Sequence, residues 1–261
     1  MNCDLGQALD AAREAAAAAA EILRHYWNRG VAVEWKPDAT PVTAADREAE
    51  RAIRAVLSKA LPQAAIYGEE YGLEGSREGL LWLVDPLDGT KSFVRRTPFF
   101  STQIALMDRG ELLLGVSCAP VYGETFWART GQGAWFDGER VQVAGTSALA
   151  QASLSIGNVR TLTGDARWDA LGGLIRDSSR IRGYGDFCHY HLLARGSLDL
   201  VIESDVNILD IAALAVIVRE AGGVFTDLQG RAPGLATTSV LAGVPAIHAL
   251  ALERLHDIPN G

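Results

Sequence analysis

Leu5, Leu9, Ala12, Ala16, Ala19, Leu23 and Tyr26 recur at three- and four-residue intervals, which predicts a packing helix over 5–27. Asn28-Arg29-Gly30 follows with residues suited to ending it. VAVEW (31–35) alternates like a strand and leads into KPDATPVTAAD (36–46), a loop with two prolines. Thr43 is placed to cap a helix reaching about Ala60, with Ala49, Ile53 and Val56 on one face. Beyond Pro62 the pattern shortens to strands and glycine turns. AAIYGEEYG (64–72) and GLLWLVDP (79–86) read as buried strands ending in acidic residues. STQIALMDRGELLLGVSCAP (101–120) reads as a hairpin turning at Asp-Arg-Gly, and ETFWARTGQGAWFDGERVQV (124–143) as a further meander.

A composition shift near 145–152 divides the chain into halves, 1–145 and 146–261. The second half alternates strand and helix. ASLSIGN (152–158) is strand-like, 164–177 helical, and SRIRGYGD (179–186) a strand running to a site. A helix from about 186 to 195, the strand SLDLVIES (197–204) and the apolar helix LDIAALAVIVREAGG (209–223) follow, the last capped by Gly222-Gly223. With no repeat or linker between them, the two halves are expected to form one compact unit.

The net charge of −8 argues against nucleic-acid and membrane-surface binding, though a bound cation can still bring an anionic substrate to an acidic protein. No run approaches the roughly 20 apolar residues of a membrane span. Asp4, Asp10, Arg13 and Glu14 interrupt the N-terminal stretch where a signal peptide needs an apolar core. Three dispersed cysteines, Cys3, Cys118 and Cys188, suit reduced thiols in a cytoplasmic protein.

Three acidic stations follow predicted strands or open a helix: Glu69-Glu70, Asp85/Asp88 and Asp210. Asp85 and Asp88 lie at the end of an apolar strand, where each raises the other's pKa unless a cation sits between them. Carboxylates are hard oxygen ligands of the kind magnesium takes together with water and phosphate. Gly89-Thr90 then offers free backbone N–H groups and a hydroxyl beside the carboxylates, and a helix starting there would favour a phosphate. Taken singly, each station has a plainer account. D-x-x-D also makes turns, Asp46 suits the first turn of a helix, and Asp210 suits the cap of a helix over 211–221.

In order along the chain, KPDATPVTAAD (36–46), GEE (68–70), DPLDGTKSF (85–93) and LDIAALAVIVREAGG (209–223) resemble the motifs of the inositol monophosphatase superfamily of magnesium-dependent phosphatases. The resemblance implies an α/β (α+β) fold, a layered α-β-α-β-α sandwich with the site between its halves, and commonly a homodimer. It implies metal ligation by Glu69, Asp85, the Leu87 carbonyl, Asp88 and Asp210, with two or three magnesium ions. Thr90 and Glu69 would hold the attacking water, Asp46 would support Thr90 from behind, and Gly89, Thr90 and Asp210 would face the substrate. Hydrolysis would be direct, without a phosphorylated protein intermediate. The chain departs from the family at Leu209, where tryptophan is common.

The run R-x-Y-G-D at 182–186 resembles the histidinol-phosphate phosphatases of that superfamily, and Glu203 matches an acid that contacts substrate in this branch and in the inositol branch. Arg182, Asp186 and Glu203 are therefore the expected substrate residues. Histidinol carries an ammonium and an imidazole, so two carboxylates suit it better than they suit a neutral polyol. Asp186 also fits a cap of the following helix, with Arg182 paired to Asp186 or Glu203. Inositol 1-phosphate or another sugar phosphate is the second substrate class, and a non-catalytic partner-binding protein the third reading. Only 15 residues (70–84) separate Glu69 from Asp85, which counts against nucleotide bisphosphates. His189 and His191, two apart, fall on different faces of a helix and do not suit joint metal ligation.

Overall fold

The computed structural model describes residues 4–30, 33–35, 41–164 and 167–256. Residues 31–32 and 36–40 of the strand and loop expected over 31–46, residues 165–166 of the helix expected over 164–177, and Cys3 lie outside them.

The N-terminal helix, Leu5–Arg29, is built on a stripe of buried alanines that includes Ala8, Ala12, Ala15, Ala16 and Ala19. Alanine loses no side-chain entropy in a helix, and its small size lets a neighbouring helix come close. Asp4 caps the start by accepting from Gly6 N at 2.8 Å and Gln7 N at 3.2 Å. Gly30, with φ 83°, closes the end. The second helix, Ala44–Ala60, lies against the first and presents Ala45, Ala49, Ile53 and Leu57 to the interior.

Among the described residues, an eight-stranded sheet takes the strands Glu139–Val141, Ala134–Phe136, Glu124–Arg129, Glu111–Ala119, Ser101–Asp108, Leu80–Asp88, Ala65–Gly68 and Gly72–Glu74 in that spatial order. All its neighbours are antiparallel except Leu80–Asp88 against Ala65–Gly68. A five-stranded mixed sheet takes Arg180–Arg182, Ser153–Gly157, Leu200–Ser204, Ser239–Gly243 and Val224–Thr226. The two N-terminal helices cover one face of the first sheet. Helices Asp186–Ala194 and Ile208–Glu220 lie between the sheets, and Trp168–Asp177 and Pro245–His256 lie on the outer side of the second. The chain is thus an α-β-α-β-α sandwich.

The middle layer explains the least amphipathic segments of the sequence. A helix packed on both sides buries its whole circumference. Ile208, Leu209, Ile211, Ala212, Ala213, Leu214 and Val216 are all buried accordingly. One hydrophobic cluster joins Leu81, Leu83 and Met107 of the first sheet to Leu154, Leu200 and Ile202 of the second across this layer. Each large side chain so buried contributes roughly 1.5–3 kcal/mol.

Two expected elements are shorter than their patterns. Of the described residues in 164–177, Trp168–Asp177 form the helix, and a separate turn of helix precedes it at Val159–Leu162. The strand expected over 64–72 stops at Gly68, because the buried Glu50 carboxylate takes the amide hydrogens of Glu70 at 2.7 Å and Tyr71 at 3.3 Å and turns the chain.

Candidate active site

The parallel pairing of Ala65–Gly68 with Leu80–Asp88 sets Gly68 beside Val84, so both strands end at one place. Glu69 leaves the first strand there, its amide bonded to the Val84 carbonyl at 3.2 Å. Gly68 leaves room for the Glu50 carboxylate: a Cβ at this position would lie 2.1 Å from Glu50 Oε1. Glu50, itself held by Arg54 Nε at 2.8 Å, is a positioning residue that the sequence did not signal.

Leu80–Asp88 does not end as a plain strand. Its register against Ser101–Asp108 slips between Asp85 and Asp88, forming a bulge at Pro86-Leu87. Proline is tolerated there because a bulge frees the residue from donating to the ladder. Asp85 Oδ1 accepts from Leu87 N at 2.9 Å and tightens the bend, while Ser101 Oγ donates to Asp88 Oδ2 at 3.0 Å. Gly89 follows in the left-handed region at φ 86°, where a Cβ would meet the Phe99 carbonyl at 2.5 Å. Thr90 then begins a helix of only five residues, Thr90–Val94, so the expected macrodipole is that of little more than one turn.

Thr90 Oγ1 lies 3.1 Å from Asp46 Oδ1 and 3.0 Å from the Leu87 carbonyl. Asp46 also receives Thr43 N at 2.8 Å and Thr43 Oγ1 at 2.6 Å in a capping box, so its two sequence accounts, helix acid and support of Thr90, hold together. Asp210 behaves similarly at the helix Ile208–Glu220. It is not the cap: Asn207 is, and Asp210 accepts from Asn207 N at 2.9 Å and Asn207 Nδ2 at 2.6 Å as the reciprocal partner.

Oxygens of Asp85, Asp88 and Asp210 lie within 4.8 Å of one another. Burial, before all else, pushes Asp85 and Asp88 well above the carboxylate range, and each is raised further by acidic neighbours. Asp210 is raised to about 7, burial outweighing its bonds from Asn207. Three carboxylates brought this close in a low-dielectric setting call for a cation, and an all-oxygen donor set suits a hard divalent ion.

These groups line a cavity of about 250 Å³ that Glu69, Leu87, Gly89, Thr90, Asp186, Tyr190 and Glu203 also line. Of the expected site residues, Asp46 sits behind Thr90 and Arg182 is not brought in. Arg182 belongs to the edge strand Arg180–Arg182, and its exposed guanidinium donates to the Ile181 carbonyl at 2.7 Å. The cation that does line the cavity among the described residues is Lys91, unassigned from the sequence although it follows Thr90 directly. Arg96, further along the same segment, lies over the Trp27 ring.

Asp186 is the first residue of helix Asp186–Ala194, has φ 46°, and makes no capping bond; Gly185 stands at the cap position. Burial, and next the charge of Glu203, raise Asp186 to about 6. Glu203 is buried and fixed from two sides, by Tyr190 OH at 2.7 Å and His189 Nε2 at 3.0 Å. His189 Nδ1 in turn meets Ser155 Oγ at 3.3 Å, and that oxygen accepts from Tyr184 N at 3.2 Å. The two histidines do face apart, as their spacing requires: His189 toward Glu203 and His191 toward Ser117 of the other sheet. The support of Glu203 by His189 and Tyr190 had no separate signal in the sequence.

Cys118 is buried and Cys188 half-buried, and both are free thiols. No helix among the described residues is long and apolar enough to cross a membrane.

The sequence model of the Inositol monophosphatase family matches residues 4–260. The chain is similar to the histidinol-phosphatase of Streptomyces coelicolor, 40% identical over 225 residues and covering 83% of this chain and 84% of that protein. It is 39% identical over 229 residues to the histidinol-phosphatase of Mycobacterium tuberculosis, covering 86% and 88%. Among solved structures, an inositol monophosphatase from Anabaena superposes with a TM-score of 0.86 at 29% identity, covering 98% of each chain. Motifs, fold and relatives agree, and the chain belongs to the inositol monophosphatase family of phosphoric monoester hydrolases.

Proposed function

We propose that the protein hydrolyses L-histidinol phosphate to L-histidinol and phosphate in magnesium, as a cytoplasmic homodimer. The observation that carries the substrate is the second pair of carboxylates, Asp186 and Glu203, in the cavity that holds Asp85, Asp88 and Asp210. The relatives named histidinol-phosphatase support the same reading.

Glu69, Asp85, the Leu87 carbonyl, Asp88 and Asp210 would hold two or three magnesium ions, which when bound neutralise phosphate charge and make water more acidic. The chain's own groups do the rest. Glu69 and the Thr90 hydroxyl orient the attacking water, with Asp46 fixing Thr90, and Glu69 accepts the water proton. Lys91 and the amides that follow Gly89 attract the phosphate. Glu203, immobilised by Tyr190 and His189, and Asp186 accept hydrogen bonds from the ammonium and imidazole of the leaving group. Arg182 has no part in this reading.

Inositol 1-phosphate is the second reading, favoured by the likeness to the Anabaena inositol monophosphatase. Phosphate release from L-histidinol phosphate, inositol 1-phosphate and an adenosine bisphosphate, each with magnesium and with EDTA, separates them. Histidinol phosphate should be cleaved fastest, and only with magnesium. A tenfold preference for inositol 1-phosphate would remove the substrate assignment, and no cleavage of any ester would remove the enzymatic one.

A further inference from the structure

A line of buried polar side chains leaves the metal cluster through the first sheet and ends on the helix that carries Asp186. Sheet register creates it. Asp88 pairs with Ser101, Gln103 lies two residues along on the same face, and Gln103 pairs with Ser117 of the next strand. The contacts follow that order: Ser101 Oγ to Asp88 Oδ2 at 3.0 Å, Gln103 Nε2 to Ser101 Oγ at 2.8 Å, Gln103 Nε2 to Ser117 Oγ at 3.0 Å, and Ser117 Oγ to His191 Nε2 at 2.7 Å. Ser101, Gln103 and Ser117 are 0% exposed and His191 2%. Buried polar side chains are costly in a sheet interior unless they satisfy one another. Here the hydroxyls, the Gln103 amide nitrogen and His191 Nε2 do so, while Gln103 Oε1 and His191 Nδ1 have no hydrogen-bond partner among the described residues.

Proton counting gives one order in which the contacts satisfy an ionised Asp88. A cation beside Asp88 would keep it ionised, and the carboxylate would then take the only hydroxyl proton of Ser101, leaving Ser101 to accept from the Gln103 amide. The second amide hydrogen goes to Ser117, whose own proton is then free for His191 Nε2. That order is completed by the His191 tautomer with its hydrogen on Nδ1, the nitrogen 3.6 Å from Glu124 Oε2. Burial lowers the His191 pKa and favours this neutral ring. Phe126 stacks on the ring, 4.0 Å between centroids, and holds it in place.

We infer that Gln103, Ser117 and His191 are positioning residues that lock the Ser101 hydroxyl onto Asp88, so that helix Asp186–Ala194 fixes the metal cluster and the substrate carboxylate together. Asp186 opens this helix, His189 holds Glu203, and His191 reaches Asp88 through three intermediates. The inference rests on the reading of Asp88 as a metal ligand.

The test is Mg2+ binding to the full chain by titration calorimetry, with melting in EDTA as the measure of fold. Groups behind a metal ligand typically change affinity by about 10- to 100-fold when removed. Gln103→Leu, one contact from Ser101, should weaken Mg2+ binding about tenfold, and His191→Leu, further out, about threefold. His191→Gln, which returns an acceptor near the Nε2 position, should bind as the unaltered protein does. Leu174→Ala, in the outer helix Trp168–Asp177, should lower melting and leave Mg2+ affinity unchanged. The inference is overturned if Gln103→Leu and His191→Leu melt earlier, as Leu174→Ala does, yet bind Mg2+ within twofold of the unaltered protein. It is overturned equally if His191→Gln loses as much affinity as His191→Leu. Failure of the unaltered protein to bind Mg2+ would instead remove the metal-site reading, and the positioning role with it.

Discussion

Replacing Asp186 by Asn keeps the size of a side chain in the cavity and removes its charge. At pH 7.5 the native carboxyl, raised to about 6, is still mostly ionised. An ammonium about 4 Å from it would be held by roughly 4 kcal/mol at an effective dielectric near 20. Lys91, whose charge opposes that of Asp186, and residual water reduce this to about 2–3 kcal/mol, at the low end of losses seen when one partner of a hydrogen-bonded charge pair is removed. At about 1.4 kcal/mol per tenfold, kcat/KM for L-histidinol phosphate should fall about 30- to 150-fold. Glycerol 2-phosphate, which has no cation in its leaving group, should lose less than about threefold by the same reasoning. The pH profile adds a sign. The ionised form is lost as pH falls through about 6, so the native protein should lose efficiency toward the cationic ester below that pH relative to Asp186→Asn. Comparing both proteins on one ester cancels the titration of the substrate. Stability runs the other way, because burial penalises the charged form. The native protein has its full stability from this group below the ordinary carboxylate range and loses it as pH rises through about 6. Asp186→Asn should therefore melt higher than the native protein at pH 7.5 in EDTA, by at most about 3 kcal/mol. Equal losses on both esters, or a lower melting temperature for Asp186→Asn under those conditions, would refute the reasoning.

The remaining outcomes concern metal, loop and turn. Magnesium at about 100 times its dissociation constant should stabilise by about 2.7 kcal/mol, a rise of roughly 5–10 °C in melting that EDTA reverses. Asp210→Asn should melt higher than the native protein in EDTA at pH above 7 and show little magnesium shift, because it removes a buried charge raised to about 7. Glu50→Gln leaves the Glu69 loop with a weaker acceptor, so kcat should fall about tenfold with KM nearly unchanged, read from steady-state kinetics. Gly89→Ala must place a Cβ 2.5 Å from the Phe99 carbonyl at positive φ and should cost about 2–3 kcal/mol in denaturant melts, with activity lost.

Much of the candidate metal site was legible because its carboxylates are close in sequence or end apolar strands. Asp85, Asp88, Gly89 and Thr90 lie within one bulge and one turn, so their spacing carries their geometry. Asp186 was legible for a related reason, since it stands where a strand-to-helix segment meets the cavity. Arg182, four residues earlier, was misplaced because sequence proximity does not reveal that its short strand forms the edge of the second sheet. Glu50 was silent because an acidic residue in a helix ordinarily reads as solvent-facing; only the fold brings the Glu70 and Tyr71 amides over it. Ser101, Gln103 and Ser117 were silent for the same reason. Polar positions in an alternating strand suggest a wet face, but this sheet is covered by helices on both faces. His189 and His191 could be separated by their spacing, while their partners could be found only once both sheets were in place.

The most direct test places L-histidinol phosphate and inositol 1-phosphate together in one reaction with magnesium and follows both esters by phosphorus NMR. Histidinol phosphate should disappear at least tenfold faster per unit concentration, and EDTA should stop both. Faster loss of inositol 1-phosphate, or hydrolysis that continues in EDTA, would contradict the account of how these carboxylates divide their work.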